Sequence, residues 1–261
     1  MEEMPAELTF VVPAYGRSPY LRECLASLRA QTKPVPIAIA TSTPNEHVQA
    51  LAEEFSCPVH VNQSGGGIAA DWNFALSCQP TGFVALAHQD DIYRPEYAER
   101  CLQFFARHPQ VGIAFTDSAE LIGDRLYRNN KREVVKKLLR KFAFLWRDVI
   151  TRPSQFRRLL GVGCAVPCPS VVYNQNQLGE FRFSAEYGVN LDWDAWTRIT
   201  EAGHAVGYVR GALLIHRIHP EAETQKGLSD RRRDQEDRKM FLRYWPESMA
   251  RLLLYFYRLG Y

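Results

Sequence analysis

Two acidic clusters, His88-Gln89-Asp90-Asp91 and Asp192-Trp193-Asp194, hold the residue types in this chain best suited to chemistry. Adjacent carboxylates suit a hard divalent cation such as Mg2+ or Mn2+, which takes few protein oxygens and keeps positions open for phosphate. A cation held there would neutralise charge that develops on a diphosphate leaving group. Asp90 or Asp91 would serve equally well as a cap before the helix expected from Pro95, since Asp is a favoured cap residue. In the second cluster one carboxylate could take the proton of an attacking hydroxyl, while the other, two positions on, points elsewhere on a helix. Acidic residues in a first helical turn are also favoured by the helix dipole alone.

The elements that must position these groups alternate. Strands are expected at Leu8–Val12, Ile37–Thr41, Val59–Asn62, Phe83–Ala87 and Val111–Thr116. Between them fall helices, one capped by Ser18 with Pro19 at its first position and running to about Gln31, then Glu46–Phe55, Gly67–Ser77 and Pro95–Arg107. This is the pattern of βαβ units and a parallel sheet. Ligands bind at the carboxyl ends of such strands, where Asp90 and Asp91 follow Phe83–Ala87 directly. The later half reads as helices at Lys131–Trp146, Ser154–Leu160 and Asp192–Glu201, an extended stretch at Ser170–Tyr173, and extended or hairpin structure at Ala205–Ile215. Helices at about Ser229–Tyr244 and Glu247–Leu259 close the chain, and no repeat or low-complexity linker divides it, so one domain over residues 1–261 is expected.

Composition excludes several classes. With 261 residues, 46% apolar and 23% charged, the chain is ordinary for a globular protein. No run approaches the roughly 18 apolar residues of a membrane span, and Met1–Pro5 lacks the regions of a signal peptide, so a cytoplasmic protein is expected. Without an export signal, Cys24, Cys57, Cys78, Cys101, Cys164 and Cys168 are expected as thiols rather than bridges. Cys164 and Cys168 have no companion pair with zinc-ligand spacing. From Lys131 to Arg158 ten basic residues face two acidic ones, yet no nucleic-acid motif or regular aromatic interleaving accompanies them, and no nucleic-acid partner is expected. Val134, Val135, Leu138, Leu139, Phe142 and Leu145 form an apolar stripe beside these charges, a pattern repeated at Met249–Tyr261. Packing on the sheet is the favoured reading of both, and peripheral contact with an anionic membrane is the alternative.

Three segments then stand in order: Thr9-Phe10-Val11-Val12-Pro13-Ala14-Tyr15, Gln89-Asp90-Asp91-Ile92-Tyr93-Arg94-Pro95 and Leu191-Asp192-Trp193-Asp194-Ala195-Trp196-Thr197-Arg198-Ile199. With Gly67-Ile68-Ala69-Ala70-Asp71-Trp72-Asn73 and Arg217-Ile218-His219-Pro220, this ordered set resembles the family 2 glycosyltransferases. The resemblance implies an α/β GT-A fold: a Rossmann-like, mostly parallel sheet flanked by helices, with a mixed acceptor-side region and C-terminal helices. The halves would be about 1–117 for a nucleotide-sugar, 118–227 for acceptor and catalysis, and 228–261 as a helical tail. It implies inverting, metal-dependent transfer from a nucleotide diphosphate-sugar to a hydroxyl acceptor, a glycan or lipid-linked sugar, as in polysaccharide or glycolipid assembly. Donor contacts would fall to Pro13, Ala14, Tyr15, Thr41, Asn73, Asp90 and Asp91, the metal to Asp91 and His219, and the catalytic base to Asp192. Thr41-Ser42-Thr43 stands where such enzymes usually carry an acidic pair, and a nucleotide-sugar-binding protein without catalysis is the alternative.

Overall fold

The structure, a computed structural model, describes residues 7–127, 131–219 and 231–258. Strands β1 (Leu8–Ala14), β2 (Ile37–Thr41), β3 (Val59–Val61) and β4 (Phe83–Leu86) alternate with helices α1 (Leu21–Arg29), α2 (Glu46–Glu54) and α3 (Ile68–Ser77). After the short β5 (Ile92–Tyr93) come α4 (Tyr97–Arg107), β6 (Val111–Ile122), β7 (Arg125–Tyr127), α5 (Lys131–Phe144), β8 (Val149–Ile150) and α6 (Pro153–Leu160). The chain continues through β9 (Val171–Asn174), α7 (Gln175–Leu178), α8 (Leu191–Glu201), β10 (Ala205–Ile218), α9 (Arg231–Tyr244) and α10 (Glu247–Arg258). One sheet runs in the order β3-β2-β1-β4-β9-β6-β10-β5. It is parallel from β3 to β4; β9 enters antiparallel between β4 and β6, and β6 and β10 pair in parallel. The carboxyl ends of β1, β2, β4, β6 and β10 therefore share one edge.

Alternation along the strands builds two apolar layers. Phe10, Val12 and Ala85 point to the face covered by α1, α2 and α4, whereas Val11, Val84 and Phe115 meet α3, α6 and α8. Helix α1 buries Leu21, Cys24, Leu25 and Leu28 at helical spacing. It starts at Leu21, and the Ser18 hydroxyl accepts the Tyr20 N–H at 3.3 Å, so Pro19 precedes the first turn instead of opening it. Helix α8 anchors itself with the fully buried Trp193 and Trp196, the former donating its indole N–H to Leu160 O at 3.0 Å. All six cysteines are free, as expected.

Of two expectations, the extended alternative at Ala205–Ile215 holds and the packing of the α5 stripe is corrected. Ala205–Ile218 is a single long strand, whose register breaks between Val209 and Ala212 where Gly211 takes φ 122°, a conformation few side chains tolerate. Of the amphipathic stripe of α5 only Leu139 packs against the core, whereas Val134, Val135, Leu138, Phe142 and Leu145 are exposed. The buried side of α5 holds Ala143 and Phe144 with two charged residues, Glu133 and Arg140. Arg140 pairs with Asp117 at 2.9 Å and Glu133 at 3.3 Å and donates to Ala165 O at 2.7 Å, and these contacts fix the rotation of the helix. Likewise α10 buries Ala250 and Leu254 and exposes Met249, Leu252, Tyr255 and Phe256.

Candidate active site

Strand β4 delivers the chain into His88–Asp91, and β5 then pairs antiparallel with Leu214 and Ile215 of β10. That pairing lays the end of β10 over the acidic loop. The His216 Nδ1–H and the Arg217 backbone N–H both donate to Asp91 Oδ1, each at 2.9 Å. Asp91 is fully buried, and its Oδ2 has no hydrogen-bond partner. Ligand atoms of His88, Asp90 and Asp91 lie within 4.8 Å of one another. A buried carboxylate oxygen without a donor costs free energy, and a cation bound between these three groups would remove that cost. His219 Nε2 donates to Asp90 Oδ2 at 2.9 Å, and its ring lies 4.8 Å from that of Tyr20. Arg217 reaches Glu23, donates Nε–H to Asp90 O at 3.0 Å and sits over the Tyr20 ring at 4.5 Å.

Charge states follow from these contacts. Burial pushes the His88 imidazole down against the pull of Asp91 and Asp90, leaving it the neutral form that ligates metals. Burial raises Asp90, but His88 and the bond from His219 outweigh it and hold the carboxyl below its ordinary value. Burial likewise disfavours His216 as a cation, yet the charge and hydrogen bond of Asp91 lift it to about 9.

The rim beside the acidic loop is built by β1, β2 and α3. Tyr15 N–H donates to Gln89 Oε1 at 3.1 Å and Gln89 Nε2 donates back to Tyr15 O at 3.2 Å, locking the end of β1 to the acidic loop. Ala14 is buried and Pro13 half-buried, whereas the Tyr15 side chain is open to solvent. Thr41 points inward: it is buried, and its hydroxyl accepts the Thr43 N–H at 3.1 Å. Asn73 spends both ends of its amide on the Phe183 backbone, at 3.0 and 2.7 Å, and so holds a loop from the other half of the chain. A carboxylate absent after β2 arrives instead from α3, because Asp71 accepts from Ser42 Oγ at 3.0 Å and from Asn62 Nδ2 at 3.2 Å.

On the opposite side, Asp192 lies in the first turn of α8 and accepts the Trp193 N–H at 2.7 Å. Burial pushes its carboxyl above the usual value, against the Trp193 N–H, Lys136 and Arg233. Asp194 is spent: it is buried between Arg198 at 2.8 Å and Arg243 at 2.6 Å. The loop entering α8 is held from α9, where the Glu236 carboxylate accepts the N–H groups of Gly188, Val189 and Asn190 at 2.9 to 3.0 Å. Burial would raise Glu236, but those N–H groups and Arg232 hold it low.

Residues 164–168 link the two acidic groups. Cys164 Sγ lies 3.9 Å from Asp192 Oδ2, and Cys168 Sγ lies 4.0 Å from His88 Nε2. Burial pushes the Cys168 thiol up, and the carboxylates of Asp192 and Asp91 both add to that rise. From α5, the Lys136 charge acts on Asp192 and His216 alike. His216, Asp71, Glu236 and Lys136 escape sequence reasoning as site residues; only His216, three positions before His219, carries a local signal.

A family model described as Glycosyl transferase family 2 matches residues 9–172. An uncharacterised glycosyltransferase of Rickettsia typhi is 21% identical over 229 residues, which span 85% of this chain and 67% of that protein. The mannosyltransferase PcManGT of Pyrobaculum calidifontis, solved with GDP-Man and Mn2+, matches with a TM-score of 0.66 at 14% identity, over 95% of this chain and 69% of that one. S. aureus TarS, solved with UDP-GlcNAc, matches with a TM-score of 0.63 at 16% identity, over 95% of this chain and 70% of the solved fragment. At these identities the solved structures speak for the fold alone. No helix among the described residues is long and apolar enough to cross a membrane.

Proposed function

The chain belongs to glycosyl transferase family 2 and has the GT-A fold, and from that premise we propose that it transfers a sugar, with inversion, from a nucleotide diphosphate-sugar to a hydroxyl acceptor. The observation that supports this reading is that residues 164–168 link the two acidic groups, with Cys164 beside Asp192 and Cys168 beside His88, and that the Cys168 thiol feels both Asp192 and Asp91. Residues up to about 117 hold the donor, with Tyr15 against the nucleotide base and Asp90 near the ribose and diphosphate. Residues of about 118–227 hold the acceptor, a glycan or lipid-linked sugar of polysaccharide or glycolipid assembly, and the tail secures the loop before α8.

Asp192 is the base. Its carboxyl, raised by burial, takes the acceptor proton more readily than an ordinary aspartate would, and Asp194 is unavailable because two arginines neutralise it. The acceptor oxygen attacks from the face opposite the diphosphate, which inverts the anomeric centre. The unpartnered Asp91 oxygen, neutral His88 and Asp90 fit a divalent cation, and the imidazole favours Mn2+ over Mg2+. Bound there, the cation would neutralise negative charge on the departing nucleotide diphosphate. His216 and the Arg217 N–H orient Asp91, and we assign His219 to holding Asp90 instead of to the metal.

A thermal-shift panel of nucleotide sugars with Mn2+ or Mg2+ tests the reading, since a ligand that binds only the folded state raises its melting temperature. A cation-dependent rise with one nucleotide class is expected, together with release of the nucleotide diphosphate when an acceptor is supplied. Binding without release under any cation would favour a nucleotide-sugar-binding protein, and no shift with any donor would reject both readings.

A further inference from the structure

We propose that the outward face of α5 docks on an anionic lipid surface. Val134, Leu138 and Phe142 recur every fourth residue and form one stripe, flanked by Val135 and continued by Leu145 and Trp146; all are exposed, Trp146 at 92%. Isolated apolar side chains on a surface need no explanation, but a contiguous set of this size marks an interaction site. The helix cannot roll to hide it, because Arg140, Glu133 and Asp117 pin its other side.

Charge identifies the occupant. Lys137 and Lys141 border the stripe one position before Leu138 and Phe142, and Arg147 follows the helix. At the carboxyl end of α5 a cavity of about 330 Å3 is lined by Lys137, Lys141, Arg210 and Trp146, with Asp117 and Tyr208 behind them. The Asp117 charge is already answered by Arg140 at 2.9 Å and by the Tyr208 hydroxyl at 2.8 Å, and Arg210 shares its charge with Asp148 at 3.1 Å. With Lys141 and Trp146 in its lining the cavity sets a cation beside an indole, the chemistry of a lipid phosphate held at the depth where tryptophan anchors proteins to bilayers. A basic edge beside an apolar stripe is the pattern of a helix lying in an anionic interface. A twofold pair of chains joined through this face would instead bring two edges of like sign into one contact.

The docking stands on the surface itself and does not require the transferase reading. If both hold, Lys136 on the same helix carries a charge felt by Asp192 and His216, and a lipid-linked acceptor fits that placement. Flotation of the full chain with vesicles of equal parts phosphatidylglycerol and phosphatidylcholine, against phosphatidylcholine alone, tests it. Binding is expected with the anionic vesicles only, weakening with salt. A basic residue near an anionic surface is worth about fivefold in partition, so Lys137→Gln with Lys141→Gln should lower binding about 25-fold. Leu138→Asp with Phe142→Asp should abolish it, while both double variants keep wild-type circular dichroism and donor affinity. Absence of vesicle binding, or binding unchanged by both double variants, overturns the proposal. So does a wild-type dimer in sedimentation equilibrium that ignores vesicles and dissociates when Leu138 and Phe142 become Asp.

Discussion

Of the two carboxylates in Asp192-Trp193-Asp194, burial and pairing leave one free to act. Their spacing shows that they diverge on a helix, but which one is neutralised depends on Arg243, a partner 49 residues away that local pattern does not reveal. The raised pKa of Asp192 has two consequences. As pH falls the base is protonated, so the acid limb of the pH–rate profile should lie above the ordinary aspartate value; a limb at or below the value of a free aspartate would contradict the assignment. For stability, the folded pKa lies above the unfolded one, so between them the native state binds more protons and stability declines as pH rises through the window. At neutral pH the charged Asp192 is then a net cost, and scanning calorimetry should find Asp192→Asn melting higher than wild type. Asp194→Asn should do the opposite and lose about 3 kcal/mol in denaturant unfolding, because it leaves Arg198 and Arg243 without their buried partner. An unchanged midpoint would show that those pairs contribute little.

Among the elements, α5 separates what periodicity can reveal from what it cannot. The stripe from Val134 to Leu145 was legible, but its direction was not. Charged residues are seldom buried alone, so nothing local marks Glu133 and Arg140 as the inward side. Asp117 and Ala165 O, reached only in three dimensions, pair with Arg140 and turn the apolar face outward. Arg140→Met should therefore cost about 3–5 kcal/mol by urea denaturation, since it removes the buried cation that Asp117 and Glu133 share, and a loss under about 1 kcal/mol would mean that α5 is held by packing alone. Glu236 on α9 has a comparable hidden role. Glu236→Gln should slow transfer while leaving donor affinity unchanged, because three N–H groups before α8 lose a charged acceptor; a parallel loss of donor affinity would place its effect elsewhere.

For the molecule as a whole, strand and helix alternation from Leu8 to Thr116 was readable because each βαβ unit closes locally. The insertion of β9 between β4 and β6 was not, nor was the run of β10 past Gly211 to carry His216 onto Asp91, a contact spanning 125 residues. Asp90, Asp91 and Asp192 could be named as candidates from residue type and order. Their supports, His216, Asp71 and Lys136, depend on pairings made only when the sheet assembles. The central claim is that acidic groups from β4 and α8 serve one donor from opposite sides, and donor titration with and without Mn2+, paired with an assay of transfer, tests it most directly. Asp192→Asn should bind the donor as tightly as wild type and transfer about 10²–10⁴-fold more slowly, and Asp91→Ala should lose the Mn2+-dependent part of binding. Full transfer by Asp192→Asn, or wild-type Mn2+-dependent affinity in Asp91→Ala, would contradict it.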